Sequence, residues 1–163
     1  MPMFQARKEN LIKAPAQVIF DIVSDVSRHN ELAGSGEVLR IRKITEGPVA
    51  VGTRFEADED IVVAGMHQKF VATSEIVTYD RPNVISWTSM PSMSPKPKRI
   101  QWWFRLTPQD GNTRVVEELQ VDFGLVMNLL MKLPYRFMRG GRIARGMEKT
   151  LENLRQLAEQ RAA

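Results

Sequence analysis

The sequence has no cysteine and only two histidines among its 163 residues. Without thiols, the chain can form neither a disulfide framework nor a cysteine-ligated metal centre, and it has no thiolate nucleophile. The histidines, His29 and His67, are not at metal-ligand spacing, and we expect both to be exposed. The sequence therefore predicts no metal site and no cofactor, and the missing cysteines fit a reducing, cytoplasmic location.

Long apolar runs and nucleotide-binding motifs are also missing. The most apolar stretch, residues 123–133, is about half of the roughly 20 residues that cross a bilayer. Residues 1–10 lack the apolar core of a secretory signal. Gly34 and Gly36 lack the third glycine of a dinucleotide fingerprint. Only Trp103 is an outward aromatic by strand parity, so a base-stacking platform is absent and no nucleic acid partner is expected.

The composition is that of an ordinary globular protein. Hydrophobic residues make up 43% of the chain and charged residues 26%, with a formal net charge of +4. The length suits one domain, and no repeat or low-complexity segment divides the chain. We therefore expect a single domain over residues 1–163.

The N-terminal quarter contains a helical segment. Pro15 fits the first turn of a helix, and apolar residues follow it at helical spacing. The segment through Leu32 is interpreted as two short helices, with Ser24 or Asp25 capping the second. From residue 37 to residue 123 the apolar period changes to two, which is typical of strands with one covered face.

Three corners predict how these strands pair. Asp110-Gly111 is a two-residue hairpin turn that sets Trp102 opposite Leu119. Ala64-Gly65 likewise sets Phe55 opposite Ser74, and the corner before Pro82 sets Ile76 opposite Ile85. The strands are therefore expected to form an antiparallel meander.

The last third of the chain is predicted to be helical. One apolar stripe follows the helical period, and Pro134 should kink or restart the helix before it. A sheet with one apolar face needs a cover, and this helix is the longest candidate. The predicted fold class is α+β: a curved seven-stranded antiparallel sheet wraps around a long C-terminal helix, with two short helices between the first two strands. The stripe consists of Ile143, Met147, Leu151, Leu154 and Ala158.

Several short motifs, in this order and spacing, resemble the START-like or helix-grip superfamily. The closest similarity is to its polyketide cyclase/dehydrase and lipid-transport (SRPBCC) branch. The resemblance implies an internal hydrophobic cavity between sheet and helix, in a fold that hosts both carriers and cyclases. The motifs are Ile12-Lys13-Ala14-Pro15, Asp25-Val26-Ser27-Arg28, Val51-Gly52-Thr53-Arg54-Phe55, Tyr79-Asp80-Arg81-Pro82 with Ile85-Ser86-Trp87, and Gly111-Asn112-Thr113-Arg114-Val115.

Strand parity selects the candidate site residues. Two carboxylates, Glu59 and Glu117, interrupt the inward apolar pattern, and a carboxylate facing an apolar interior has a raised pKa. Either residue could act as an acid or base if the protein is an enzyme. The expected ligand-binding residues are Phe55, Phe70, Ser74, Trp87, Trp102, Phe104, Glu117, Phe123 and Met147.

Three functions are open at this point. The first is binding or transport of a hydrophobic small molecule such as a lipid, quinone or polyketide, and the second is catalysis as a polyketide cyclase or dehydratase. The third is a protein-interaction module that uses Trp103 on the outer face of the sheet. Basic side chains on the C-terminal helix also suggest contact with an anionic membrane or an acidic carrier protein. They are Lys132, Arg136, Arg139, Arg142 and Arg145.

Overall fold

The computed structural model describes residues 1–163, and its seven strands form one antiparallel sheet in the order β1-β7-β6-β5-β4-β3-β2. Strands β2 to β7 are a meander, as predicted, and β1 closes the row beside β7. The strands are β1 (Phe4–Ile12), β2 (Val38–Lys43), β3 (Arg54–Val63), β4 (Met66–Asp80), β5 (Val84–Pro91), β6 (Arg99–Gln109) and β7 (Asn112–Asp122).

Two helical segments complete the fold. Between β1 and β2 lie α1 (Ala16–Ser24), a 3₁₀ turn (Val26–Arg28) and α2 (His29–Leu32). After β7 come α3 (Leu125–Tyr135), a π-helical turn (Arg136–Gly140) and α4 (Gly141–Ala162), which follow one another without a break. None of these helices is both long and apolar enough to cross a membrane.

The C-terminal helix changes its winding next to Pro134, as the sequence predicted. Pro134 lies inside α3, and the π-helical turn starts two residues later. Proline has no N–H for the helical ladder, and a π turn accommodates such an interruption without ending the helix. The change in phase affects which side chains face the sheet.

The predicted side-chain cap of the second short helix is wrong. Neither Ser24 nor Asp25 caps a helix here. The Ser24 hydroxyl bonds back to the Asp21 carbonyl at 3.5 Å. Backbone turn bonds occupy the junction instead, from Asp25 N–H to the Ile22 carbonyl and from Arg28 N–H to the Asp25 carbonyl. The chain therefore passes from α1 into the 3₁₀ turn with no extended residue from which a side chain could cap.

Two of the three predicted hairpin registers are confirmed. Trp102 lies opposite Leu119 across β6 and β7, and Phe55 lies opposite Ser74 across β3 and β4. Both corners have positive φ at their two turn residues, Ala64-Gly65 and Asp110-Gly111, as a two-residue turn of this kind requires.

The third predicted register, between β4 and β5, is wrong, because the turn is longer than predicted and β4 contains a bulge. Ile76 lies opposite Trp87 rather than Ile85, because the longer turn displaces the pairing and the bulge shifts it by one residue between Ile76 and Thr78. Three turn residues separate the last pair, Asp80 and Val84. The bulge restores the inward orientation, so that Ile76 and Ile85 are both fully buried.

The inner face of the sheet is covered from two sides. Helix α4 lies against β1 and β7 with its predicted apolar stripe buried, α1 lies against β5 and β6 in the middle of the sheet, and α2 lies against β2. Nineteen buried residues form a main core that includes Trp87, Phe104 and Leu154, and five form a second core around Leu119 and Met147. Trp102 packs against both cores and joins them.

The loop after α2 fits tightly against α4. Gly34 donates its backbone N–H to the Thr150 hydroxyl at 2.8 Å. A β-carbon at Gly34 would lie 2.4 Å from both Lys149 Cβ and Thr150 N. The contact holds the N-terminal helices against the long helix, and only glycine leaves room for it.

Replacing Gly34 with alanine should therefore lower the free energy of unfolding by about 3 kcal/mol, because backbone atoms must move to admit the methyl group. Gly141→Ala is the matched control, since its β-carbon would come no closer than 3.4 Å to the flexible end of Arg145. That substitution should be neutral or stabilising by about 1 kcal/mol. Urea unfolding measures both, and equal effects would contradict the proposed close contact.

Candidate functional site

A row of aromatic rings lines the inner face of the sheet below the helices. His29 of α2 lies with its ring centroid 5.0 Å from Trp87 and 5.8 Å from Phe55. Trp87 in turn stacks on Phe104 at 5.9 Å, with the ring planes 21° apart. Cross-strand pairing puts Phe104 directly beside Glu117 on β7. The row therefore runs from the N-terminal helices to an acidic side chain.

Glu117 is buried, with 3% of its surface exposed, and its Oε2 has no hydrogen-bond partner in the protein. It occupies an inward position of β7 between Val115, which belongs to the main core, and Leu119, which belongs to the second core. Burial raises the pKa of Glu117 well above its usual value. Burial thus favours the protonated form, and a protonated carboxyl group can both donate and accept a hydrogen bond.

The basic residue that lies opposite Glu117 on the neighbouring strand does not pair with it. Lys8 is its cross-strand partner on β1, but Lys8 Nζ binds Glu148 Oε1 on α4 at 2.5 Å. The pKa of Glu117 is accordingly raised by desolvation. The carboxyl group is therefore buried, and its Oε2 atom has no hydrogen-bond partner.

A second polar cluster lies where the β3–β4 hairpin meets the C-terminal helix. Glu59 on β3 faces inward opposite Phe70, and Gln68 follows on β4 with a buried Oε1 that has no partner. Burial, with a contribution from the Glu37 carboxylate, raises the pKa of Glu59 to about 7, and the Arg139 guanidinium offsets part of this shift. The two inward carboxylates are separate sites, since β4, β5 and β6 lie between their strands. Four strand steps amount to about 19 Å along the sheet.

Arg139 belongs to this cluster, and its expected place on an exposed basic face is wrong. It is 6% exposed and donates to both Glu37 oxygens, at 2.6 and 2.8 Å, and to the Val62 carbonyl at 3.1 Å. The physical reason is its phase on the helix, because Arg139 lies four residues before the buried Ile143 and continues the inner stripe. Extending that stripe backwards would have identified Arg139 from the sequence.

His29 is buried rather than exposed as predicted. It is 7% exposed, its Nε2 donates to the Val23 carbonyl at 2.6 Å, and burial lowers its pKa. The signal in the sequence was the spacing of Val26, His29 and Leu32, which share one buried helical face. His67 is exposed as predicted, and its Nδ1 lies 3.0 Å from Asp60 Oδ1.

The remaining residues of the predicted site fall into two groups. Those at the centre of the inner face are buried: Phe55, Ser74, Trp87, Phe104 and Met147. Those nearer its margins are partly buried: Phe70, Trp102 and Phe123. Of the predicted set, Met147 belongs to α4, and the others lie on or next to the inner face of the sheet, with Phe70 opposite Glu59 and Phe123 beside the second core.

Open spaces near the helices lie outside this inner surface. A groove of about 740 Å³ runs between β1 and α4, and a hollow of about 10 Å³ lies between α1, α2 and the end of α4. The groove is mostly polar and is poorly suited to an apolar molecule. Its lining residues are Arg7, Lys8, Glu9, Asn10, Glu148, Leu151 and Glu152.

Trp103 lies on the outer face of the sheet and is partly buried. The Arg105 guanidinium carbon lies 6.0 Å from the centroid of its ring. No cluster of three or more acidic or histidine side chains is arranged to hold a metal ion. The inner surface presents aromatic rings, the two inward carboxyl groups and a few neutral polar side chains such as Ser74 and Gln68.

Comparison with known proteins identifies the same architecture. The family model described as polyketide cyclase / dehydrase and lipid transport matches residues 3–159. No curated protein matches the sequence. Among solved structures, the Zhui aromatase/cyclase from Streptomyces sp. R1128 is similar with a TM-score of 0.71 and 17% identity, over 98% of this chain and 96% of that one.

Two further structures share the fold. A START superfamily protein from Mycobacterium smegmatis has a TM-score of 0.58 and 17% identity, over 97% of this chain and 96% of its own. The major latex-like protein 151 of Panax ginseng has a TM-score of 0.62 and 10% identity, over 95% and 97% of the two chains. At these identities the likeness concerns the fold.

The raised pKa of Glu59 gives the free energy of unfolding a predictable pH dependence. Because folded Glu59 holds its proton up to about pH 7 and an unfolded glutamate releases it near 4.5, its contribution to stability is lost as the pH rises between these values. The slope reaches at most about 1.4 kcal/mol per pH unit. His29 acts in the opposite direction, so the measurement is a difference between variants.

Between pH 4.5 and pH 7, the free energy of unfolding of Glu59→Gln should therefore fall less than that of the wild type, as measured by urea unfolding. Glu46→Gln, in an exposed loop, is the control and should keep the wild-type slope. Parallel curves for wild type and Glu59→Gln would show that Glu59 ionises normally.

Proposed function

The chain belongs to the polyketide cyclase/dehydrase and lipid-transport family, and from that premise we propose that it binds a hydrophobic small molecule between the curved sheet and α4. The molecule is of the lipid, quinone or polyketide kind. It combines an apolar body with at least one hydroxyl or carbonyl oxygen.

The observation that carries this proposal is the unpartnered carboxyl group of Glu117. A buried polar group without a partner costs about 1–3 kcal/mol of stability. Leucine would pack better at this position, since the inward neighbours Val115, Leu119 and Phe104 are apolar and Lys8 is paired with Glu148. A ligand oxygen at Glu117 Oε2 would remove the penalty, because the protonated carboxyl can donate to a carbonyl or hydroxyl oxygen.

The walls around Glu117 suit an apolar ligand body. Trp87 and Phe104 present stacked rings beside it, and Met147 of α4 packs in the second core with Leu119, the next inward residue of β7. Methionine is unbranched and flexible, so it can change rotamer to make room. Ligand entry in this proposal moves α4 side chains outward, because these side chains are packed against the sheet.

The basic residues of the C-terminal helix suggest a partner that delivers or receives the ligand. An anionic membrane and an acidic carrier protein are both proposals of this kind. Arg139 takes no part in either, because it is paired with Glu37 inside the protein. The exposed basic residues are Lys132, Arg136, Arg142 and Arg145.

The Glu117→Leu variant separates a binding residue from a structural one. If Glu117 serves a ligand, leucine should raise the free energy of unfolding of the empty protein by about 1–3 kcal/mol and weaken ligand retention by about tenfold. Urea unfolding measures the first effect. Native mass spectrometry of protein purified from cells measures the second, as loss of a co-purified apolar adduct.

Glu118→Gln is the matched control, because Glu118 is adjacent in sequence but binds Arg105 on the outer face. It should leave the adduct in place. Wild-type protein that carries no adduct and gains no thermal stability from lipids, quinones or polyketides would count against the binding proposal.

A second candidate function, polyketide cyclisation or dehydration, is favoured by the raised pKa of Glu117. A carboxyl group whose protonated form is favoured by burial can act as a general acid towards a carbonyl or hydroxyl oxygen. Glu59 lies too far along the sheet to act with it as a pair. In this version Glu117 would act alone, with ring N–H groups such as those of Trp87 or Trp102 orienting the substrate.

If the chain is such an enzyme, Glu117→Gln should reduce turnover of a polyketide substrate by at least about a hundredfold, because glutamine cannot transfer the proton. Retention of the same substrate by native mass spectrometry should change far less, since glutamine still forms hydrogen bonds. Turnover that survives the substitution would remove Glu117 from catalysis while leaving the binding proposal in place.

A further inference from the structure

Helix α3 keeps a large apolar face in contact with solvent. Six large apolar side chains, within thirteen consecutive residues, are each at least 65% exposed. Isolated exposed apolar residues are common on proteins, but a contiguous group of this kind marks an interaction surface. We call this group the α3 patch; it consists of Leu125, Val126, Leu129, Leu130, Leu133 and Phe137.

The opposite face of α3 fixes the orientation of the patch. Asn128 is 8% exposed; its amide donates to the Met1 carbonyl at 2.9 Å and to Asp122 Oδ1 at 2.7 Å. Its own Oδ1 accepts the Phe123 N–H at 2.9 Å. Met131 and Tyr135 pack against the second core. The helix is thus anchored by one face, and its apolar face is turned outward.

Charge beside the patch identifies the chemistry of its partner. Lys132 and Arg136 are exposed, lie one helical turn apart, and run along one flank of the patch. Arg142 and Arg145 are exposed just beyond the π-helical turn, and residues 123–147 contain no aspartate or glutamate. An apolar face with a cationic border is the arrangement that inserts into the surface of an anionic bilayer.

Two other occupants fit less well. A second copy of the chain would bring two cationic borders together, and no acidic residue within 123–147 could pair with them. An acidic protein would pair with the basic side chains but would leave the six apolar side chains exposed to water. We infer that α3 is a peripheral membrane-docking helix that lies in the headgroup region of an anionic lipid surface. This inference does not depend on which ligand the interior binds.

The test is co-sedimentation with vesicles of phosphatidylcholine alone and of equal parts phosphatidylcholine and phosphatidylglycerol. The wild type should bind the anionic vesicles about tenfold more strongly, and added salt should weaken that preference. Leu129→Asp combined with Leu133→Asp should reduce binding to both vesicles by about tenfold or more, because the helix can no longer insert. Both positions are exposed, so the circular dichroism spectrum and thermal midpoint should be unchanged.

Charge variants test the cationic border separately. Lys132→Glu with Arg136→Glu should abolish the preference for anionic vesicles. Lys69→Glu with Arg161→Glu makes the same change in net charge at exposed sites on β4 and at the end of α4, and it should leave binding intact.

Three results would overturn the inference. The first is a wild type that fails to bind anionic vesicles. The second is a wild type that binds no vesicles and is a dimer by analytical ultracentrifugation, while the Leu129→Asp, Leu133→Asp variant is a monomer. That result would assign the α3 patch to a second copy. The third is binding to polyglutamate that depends on Lys132 and Arg136 but not on the apolar residues, with no vesicle binding, which would assign an acidic protein.

Discussion

The inner face of the sheet must be shielded from water, and the helices that cover it determine the environment of every polar group on that face. Alternation along the strands sends side chains such as Lys8, Glu59 and Glu117 inward whatever their chemistry. Where a helix offers a partner, the polar group is paired. Lys8 reaches Glu148 of α4, and Arg139 at the π-helical turn reaches Glu37 beside β2. Glu117 lies beneath α4 at a point where no partner is offered, and this makes it the candidate site.

The distribution of paired and unpaired groups also separates structural from functional roles. The Arg139–Glu37 pair is satisfied by two short hydrogen bonds and joins the C-terminal helix to the far edge of the sheet. Removing one member of such a buried pair leaves an uncompensated charge, which costs about 3–5 kcal/mol. Glu59 lies close enough to share the field of this pair, and its pKa reflects both members. Glu117 has no such structural explanation.

Most of the fold could be predicted from the sequence because its rules are local. Two-residue turns with positive φ fixed two hairpin registers, and the period of two identified the covered face of each strand. The β4–β5 register was missed because the turn has three residues instead of two and a bulge near Val77 shifts the pairing by one residue, and neither feature leaves a clear mark in the sequence pattern. His29 and Arg139 were missed for another reason: their polarity was given more weight than their helical phase, and phase decides which way a side chain points. The pairing partners of these groups come from distant parts of the chain, such as Glu37 for Arg139, and no local pattern contains them.

The C-terminal helix has two apolar faces that point in different directions, and the π-helical turn lies between them. In α4 the apolar stripe faces the sheet, whereas in α3 the larger apolar surface faces solvent. A single regular helix would carry both stripes at one phase, so the turn at Arg136–Gly140 is where the phase can change. Arg139 holds this turn against the hairpin ends of the sheet. The surface proposed to meet a lipid bilayer and the residues proposed to cover an apolar ligand therefore belong to consecutive parts of one helix. A displacement of α3 at a membrane would act directly on the first turns of α4 above the second core.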